Sequence, residues 1–271
     1  MIFRVCSWNI NSVRLRIDQV VRLLEDERPD ILCLQETKCP PGQFPSSALH
    51  AIGYHHIHEL GQSGYHGVAI ISRHPFADCF TRDFCAKGDA RYVGVKCTYS
   101  NIVLHNFYVP AGGDIPDPSV NDKFEHKIQF LKEMRDYVKS DASFPNLKGL
   151  LLGDLNIAPL ENDVWSHKAL IKEVSHTPEE VQLLNEVLGA GSFSDSIRQV
   201  FPEDRKVYSW WSYRAKDWAA SDRGRRLDHI WARGGLENGL VDARIKRDCR
   251  NWQKCSDHVP VIADFDLSVI K

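Results

Sequence analysis

Gly149-Leu150-Leu151-Leu152-Gly153-Asp154-Leu155-Asn156 is the stretch on which the fold turns. Its apolar run is short, continuous and bounded by glycines, which reads as a buried strand rather than a helix. Strand residues two apart point to the same side. Asp154 and Asn156 are therefore expected to present their oxygens to one place, where the strand runs out. An ionised carboxylate at a core edge needs a cation, a donor or a chemical task. Asp and Asn are also ordinary turn formers, so this run alone leaves a strand-closing turn open as the alternative.

Outward from this run, strand and helix signals alternate. Phe3–Ile10 reads as a strand. Ile17, Val20, Val21 and Leu24 then mark one helical face, which Pro29 and Asp30 end. Ile31–Leu34 is a short apolar strand that delivers Gln35 and Glu36. Val68–Ser72, Val93–Thr98 and Ile102–Tyr108 read as further strands, and Phe124, Ile128 and Leu131 as a second amphipathic helix. Thr177-Pro178-Glu179-Glu180 carries a helix start: a capping Thr, Pro at the first helical position and Glu three residues after the cap. Leu227–Trp231, Ala243–Ile245 and Val259–Phe265 complete the strands. The alternation favours a layered α/β protein in one domain, 1–271, with polar residues gathered at strand ends. The long loop Pro110–Asn121, rich in Gly and Pro, has the character of a functional loop.

Composition is that of an ordinary soluble globule, with 43% hydrophobic and 26% charged residues. No run approaches the length of a membrane span, and Met1-Ile2-Phe3-Arg4-Val5-Cys6 reads as a first strand rather than a signal peptide. These features point to the cytoplasm and to no membrane partner. The eight cysteines form no Cys-x-x-Cys pair and read as reduced thiols rather than a zinc site. Net charge is −2, but basic residues cluster. Arg214, Lys216, Arg223, Arg225 and Arg226 interleave with Trp210, Trp211, Tyr213 and Trp218, the composition of a surface for phosphates and bases. A second basic run is Arg244, Lys246, Arg247, Arg250 and Lys254.

Polar residues collect at five strand ends: Asn9 and Asn11; Glu36; Tyr108; Asp154 and Asn156; and Ser256-Asp257-His258. Asp228 opens a further strand. Singly, each has a dull reading as a turn, cap or core-edge residue. Together they supply hard oxygens, an imidazole with an acid to orient it, a phenol and side-chain amides. Such oxygens suit Mg²⁺ or Mn²⁺ rather than zinc. A Gly-rich phosphate loop and a Gly-x-Ser-x-Gly turn are both missing, which disfavours an NTPase and a serine hydrolase. Metal-assisted attack of water on a phosphate ester remains.

With these residues in hand, the chain resembles the exonuclease III family of apurinic/apyrimidinic endonucleases, in the endonuclease/exonuclease/phosphatase superfamily. The matching stretches are Ser7-Trp8-Asn9-Ile10-Asn11, Leu34-Gln35-Glu36-Thr37-Lys38, Gly64-Tyr65-His66-Gly67-Val68, Asn106-Phe107-Tyr108-Val109-Pro110, Gly153-Asp154-Leu155-Asn156, Arg226-Leu227-Asp228 and Ser256-Asp257-His258. The resemblance implies a four-layer α/β sandwich, two packed β-sheets flanked by helices, with the site at one end. It implies a bacterial-type, monomeric, Mg²⁺-dependent repair enzyme (Mn²⁺ as a substitute). Such an enzyme acts on double-stranded DNA, cutting 5′ to abasic sites and trimming blocked 3′ ends.

The resemblance also implies residue roles. Glu36 is the main metal ligand, helped by Asn9 and Asp257, and a second metal near Asp154, Asn156 and His258 is an open alternative. Asp154 orients or deprotonates the attacking water, or protonates the leaving oxygen, and Asn156 steadies that water. His258 contacts the scissile phosphate with its ring held by Asp228. Tyr108 donates to the phosphate or acts as phenolate. Trp210 lines the pocket for an extruded sugar, and the DNA-facing set is Asn11, Arg14, Lys38, Tyr65, Trp210, Tyr213, Arg214, Arg225 and Arg226. The chain departs from the family pattern at Ala111, where Gln or Asn is usual, at Asn11, where some relatives carry Asp, and through the loop Gly113–Lys123. Two rival readings keep part of this picture: a phosphodiesterase for inositol phosphates or sphingomyelin, and a DNA-binding protein that has lost catalysis.

Overall fold

A computed structural model describes residues 1–140 and 148–270. In chain order its strands are β1 (Ile2–Asn9), β2 (Ile31–Gln35), β3 (His56–Leu60), β4 (Val68–Ser72), β5 (Phe76–Thr81), β6 (Tyr92–Cys97), β7 (Val103–Tyr108), β8 (Gly149–Asp154), β9 (Ser194–Asp195), β10 (Trp210–Trp211), β11 (Gly224–Arg225), β12 (Asp228–Arg233), β13 (Leu240–Ile245) and β14 (Val261–Asp266). Its helices are α1 (Ile17–Glu27), α2 (Ser46–His50), α3 (Asp122–Ser140), α4 (His167–Leu170), α5 (Pro178–Ala190), α6 (Ser196–Val200) and α7 (Trp218–Ser221). One six-stranded sheet has the order β13-β14-β1-β2-β4-β3 and the other β5-β6-β7-β8-β12-β9, while β10 and β11 form a separate ribbon.

The opening run shows how the layers arise. Leu150 and Leu152 face the core between the two sheets, with Phe3, Val5, Ile31 and Val68 opposite. Leu151, pointing the other way, joins Phe124, Phe130, Leu183 and Leu184 under α3 and α5. On the other sheet Trp8, Leu32 and Leu34 pack under α1 and α2 with Val20, Leu23 and Leu49. Alternating strand residues thus feed two cores at once, so the central strands read as continuous apolar runs. The result is the expected four-layer α/β sandwich. Among the described residues no helix is long and apolar enough to cross a membrane.

Two contacts set the sheets relative to each other near the site. Gln35 Nε2 donates to Asn106 Oδ1 at 2.7 Å, and Asn106 Nδ2 donates back to Leu34 and Ala69 carbonyls at 3.0 Å. Both side chains are fully buried, so the link is satisfied only at one sheet spacing. Gly153 lies in β8 at φ 137°, where a Cβ would stand 1.9 Å from the Phe107 carbonyl oxygen. It belongs to the strand rather than ending it, and only glycine fits there.

The sequence expectations hold for the central strands within one or two residues. The edge strands β3 and β5 are additions. Their side chains are half-buried or exposed, so they lack the apolar runs that marked the others. The cap expected before α5 is present: Thr177 and Glu180 form a reciprocal capping box.

One expected DNA contact is overturned. Arg226 is fully buried; its Nε and Nη2 donate to Asp163 at 2.6 and 2.9 Å, and its Nη1 to Asp195 at 2.7 Å. Arg198 also pairs with Asp163. Arg226 is a bolt between segments, out of reach of any duplex. Breaking a buried pair strands its partners' charge, so Arg226→Met is expected to lower unfolding free energy by about 3–5 kcal/mol, read by urea denaturation. Wild-type stability with weakened DNA binding would restore the contact role.

Candidate active site

Strand register assembles the centre. In the second sheet Tyr108 pairs with Asp154 across β7 and β8, and Asp154 pairs with Asp228 across β8 and β12. Phenol, carboxylate and carboxylate therefore stand side by side in one row. The first sheet ends opposite them. Asn9 pairs with Gln35, which puts Glu36 one residue beyond β2. The segment Ser256–His258 closes over the top on the way into β14, tied by Ser256 Oγ to the Asn9 carbonyl at 2.7 Å and by Trp8 Nε1 to the His258 carbonyl at 3.0 Å.

Asp154 and Asn156 do come together, but not by strand alternation. The strand stops at Asp154, and Asn156 takes a left-handed conformation, φ 54°. Its backbone N–H donates to Asp154 Oδ1 at 3.0 Å and its side-chain amide to Asp154 Oδ2 at 3.2 Å and Val109 O at 2.9 Å. The pair is thus an Asp-led turn and part of the centre at once. Glu36 and Lys38 are also left-handed, at φ 49° and 47°, so backbone strain concentrates here, as it does at functional sites.

Asn9 links the two sheets' carboxylates: its Nδ2 donates to Glu36 Oε1 at 2.9 Å and to Asp154 Oδ2 at 2.8 Å. Its Oδ1 accepts from the Asn11 N–H at 3.1 Å. In this arrangement the Asn9 amide N–H groups tie the two carboxylates together. Glu36 also accepts from Tyr108 Oη at 2.9 Å and faces Lys38 Nζ at 2.9 Å. Despite burial, the neighbouring Lys38 ammonium and Asn9 amide hold Glu36 below the usual carboxylate range. Burial and the facing Glu36 carboxylate push Tyr108 well above its usual value, so it is a phenol donor and not a phenolate.

His258 stands between two acids. Its Nδ1 is 2.8 Å from Asp228 Oδ2, and its Nε2 is 3.7 Å from Asp154 Oδ2. Burial works against the imidazolium, but Asp228 and Asp154 outweigh it and push the pKa up to about 10. Asp228 is itself fixed by Ser209 Oγ at 2.6 Å. Burial raises Asp154 to about 7, opposed by His258 and the Asn9 amide. In its charged form the imidazolium has no free lone pair and can donate to an anion. Asp154, Asp228 and His258 offer ligand atoms within 4.8 Å of one another, yet two of those groups are spent on each other. Glu36 and Asp154 are held near each other by the Asn9 amide that bridges them, and carboxylate oxygens of this kind suit a hard divalent cation. Asp257 lies further out, accepting from Asn11 Nδ2 and Trp210 Nε1, each at 3.0 Å.

A cavity of about 710 Å³ opens beside this centre, with Glu36, Asn156 and His258 on one side and Trp165, Trp210 and Arg225 on the other. Arg225 stacks on Trp210 and Arg223 on Trp165. Arg214 and Tyr213 also line it. Tyr65 is 71% and Tyr213 50% exposed, and Arg14, also exposed, reaches Gln43. Lys38 bridges Glu36 and Asn11. Of the expected DNA-facing residues, Trp210, Tyr213, Arg214 and Arg225 line this opening, and Asn11 and Lys38 contact its Asp257 and Glu36. Sequence reading missed Trp165 and Lys127. Trp165 is separated by a long stretch of chain from the other aromatic and basic residues, and only folding brings it onto Arg223.

Residues 6–258 match the model of the Endonuclease/Exonuclease/phosphatase family. The chain is 30% identical to exodeoxyribonuclease III of Haemophilus influenzae over 270 residues, 96% of this chain and 98% of that protein. The solved structure of an AP endonuclease from Archaeoglobus fulgidus superposes with a TM-score of 0.89 at 31% identity, covering 97% and 99% of the two chains. A variant of the 3′ phosphatase NExo from Neisseria, bound to product DNA hairpin, gives the same TM-score, identity and coverage.

The raised His258 pKa makes a pH prediction. Its stabilisation is complete below the unfolded value of 6.5 and is lost as pH rises toward about 10. In metal-free protein the His258 ring protons are expected not to titrate below pH 8 by NMR. Asp228→Asn should bring the titration down and flatten the alkaline loss of stability. A wild-type midpoint near 6.5 would refute the charged pair.

Proposed function

We propose that this chain, which belongs to the endonuclease/exonuclease/phosphatase family, is a DNA repair nuclease that hydrolyses phosphodiester bonds 5′ to abasic sites and trims blocked 3′ ends. The observation that carries this reading is the row Tyr108–Asp154–Asp228 in hydrogen-bond contact with Glu36 and His258, which line one cavity. The names of the relatives, exodeoxyribonuclease III, AP endonuclease and 3′ phosphatase, support the same substrate class. We read the partner as double-stranded DNA met by a monomer, and residues 1–271 as one domain.

The roles follow from the geometry. The His258 imidazolium draws in the scissile phosphate and offsets charge building on its oxygens. Tyr108, kept as a phenol, can turn its O–H from Glu36 to a phosphate oxygen. Asp154, raised to about 7 by burial, exchanges a proton near neutral pH, which suits a group that takes the proton of the attacking water. Asn156 and Asp154 hold each other, so the amide oxygen of Asn156 is aimed from a fixed turn. Mg²⁺, or Mn²⁺ in its place, would be held by Glu36, Asp154 and Asn156 and would polarise the ester. Trp210, Trp165 and Arg225 form the wall against which an extruded sugar rests.

The test is incubation of pure protein with an abasic-site duplex. Incision 5′ to the site is expected with Mg²⁺, and none after chelation. Asp154→Asn should keep duplex affinity and fold but lower turnover by roughly 10²–10⁴. Failure to cut any DNA, with turnover of an inositol phosphate or sphingomyelin instead, would overturn the proposal, as would near-normal turnover by Asp154→Asn.

A further inference from the structure

We propose that the buried ion pair between Lys127 of α3 and Glu180 of α5 is a positioning device for the attack site, an inference that rests on the nuclease reading. Both side chains are fully buried. Lys127 Nζ stands 2.6 Å from Glu180 Oε1 and donates to the Asn156 carbonyl at 2.8 Å and the Ala111 carbonyl at 3.2 Å. All three of its N–H bonds are thereby used. Glu180 in turn accepts from the Ser175 N–H at 2.9 Å, the Thr177 N–H at 3.1 Å and Thr177 Oγ1 at 2.7 Å.

Three loops therefore converge on one charge pair: 109–113 leaving β7, 154–158 leaving β8, and 173–177 entering α5. Ala111, Asn156, Val174 and Ser175 from these loops all line the cavity beside the attack site. The loops also hold one another, since Ala158 N–H donates to the Ser175 carbonyl at 2.8 Å. Gly112 crosses directly over the lysine stem; a Cβ there would lie 3.0 Å from Lys127 Cδ and 3.0 Å from Val174 Cγ1.

Stability alone does not account for this arrangement. The surrounding contact between α3 and α5 is apolar, built from Phe124, Ile128, Leu183 and Leu184. An apolar pair of similar size would cost less desolvation there than two charges. What an apolar pair cannot do is aim two backbone carbonyls. Asn156 is left-handed, and both its N–H and its amide hold Asp154. A shift of the Asn156 carbonyl thus moves the residue whose N–H, on the preceding peptide, and side-chain amide hold Asp154. Lys127 touches no reacting atom and acts through Asn156.

The experiment compares wild type with the neutral double variant Lys127→Met/Glu180→Gln. Expected are a melting temperature near that of wild type, unchanged duplex affinity and KM, and a kcat lower by on the order of 10- to 100-fold. Amide hydrogen exchange should rise together in 109–113, 154–158 and 173–177 while β7 and β8 stay protected. A wild-type kcat, or a loss of activity that tracks loss of duplex affinity and global protection, would overturn the proposal. If the double variant does not fold, Gly112→Ala, which crowds the Lys127 stem, must show the same local exchange and kcat effect, and wild-type behaviour would overturn it. The exchange readout needs no substrate. A wild-type protein that cuts no DNA would remove the nuclease reading, and the exchange pattern would still judge the ion pair.

Discussion

The structure depends on holding a carboxylate out of water at the end of β8. Asp154 is fully buried, and burying it raises the free energy of its charged form. The carboxylates of Asp228 and Glu36 add to that cost, and other neighbours answer it. Asn9 and Asn156 donate to it, and the His258 cation faces it. The compensation is incomplete, which is why its pKa stays near 7 and why it can exchange a proton at all. A fully compensated Asp154 would be a structural residue.

Packing makes that balance possible. Gly153 lets β8 lie against the Phe107 backbone, which aligns Tyr108 and Asp154. The Gln35–Asn106 link then fixes how far Glu36 stands from that row. A shift of one residue in either register would send Asp154 or Asp228 to the opposite face. The site is thus a consequence of sheet register first and of loop conformation second.

Much of this was legible before folding, because strand-end residues inherit their place from short, unambiguous apolar runs. Leu150–Leu152 located Asp154, and Ile31–Leu34 located Glu36. What was illegible has particular causes. Arg226 looked like one more arginine of a basic segment. Its partners Asp163 and Asp195 lie 63 and 31 residues away, and nothing local marks them as counter-ions. The amide of Asn9 can donate or accept, and only its partners Glu36, Asp154 and the Asn11 N–H show which end faces the carboxylates. Arg244 and Lys246 likewise read as a basic surface but are bound to Glu27. Lys127 did leave a signal. It sits three residues after Phe124 and one before Ile128, on the apolar stripe of α3. A charge on such a stripe requires a buried partner, and that partner, Glu180, was already visible as a capping residue.

The same electrostatic logic explains why cations are built into a site shaped for another cation. Glu36, Asp154, Asp228 and Asp257 crowd one end of the sandwich, and repulsion among them would open it. Lys38 on Glu36 and His258 on Asp228 offset part of that charge within the chain. The two differ in reach. His258 is buried and locked between acids, so its charge is permanent near neutral pH. Lys38 is 30% exposed on a flexible stem and already divides its bonds between Glu36 and Asn11. A buried cation stands beside Asp154 and Asp228, and a partly exposed one covers Glu36. The acidic end of the sandwich is thus partly neutralised by the chain's own cations.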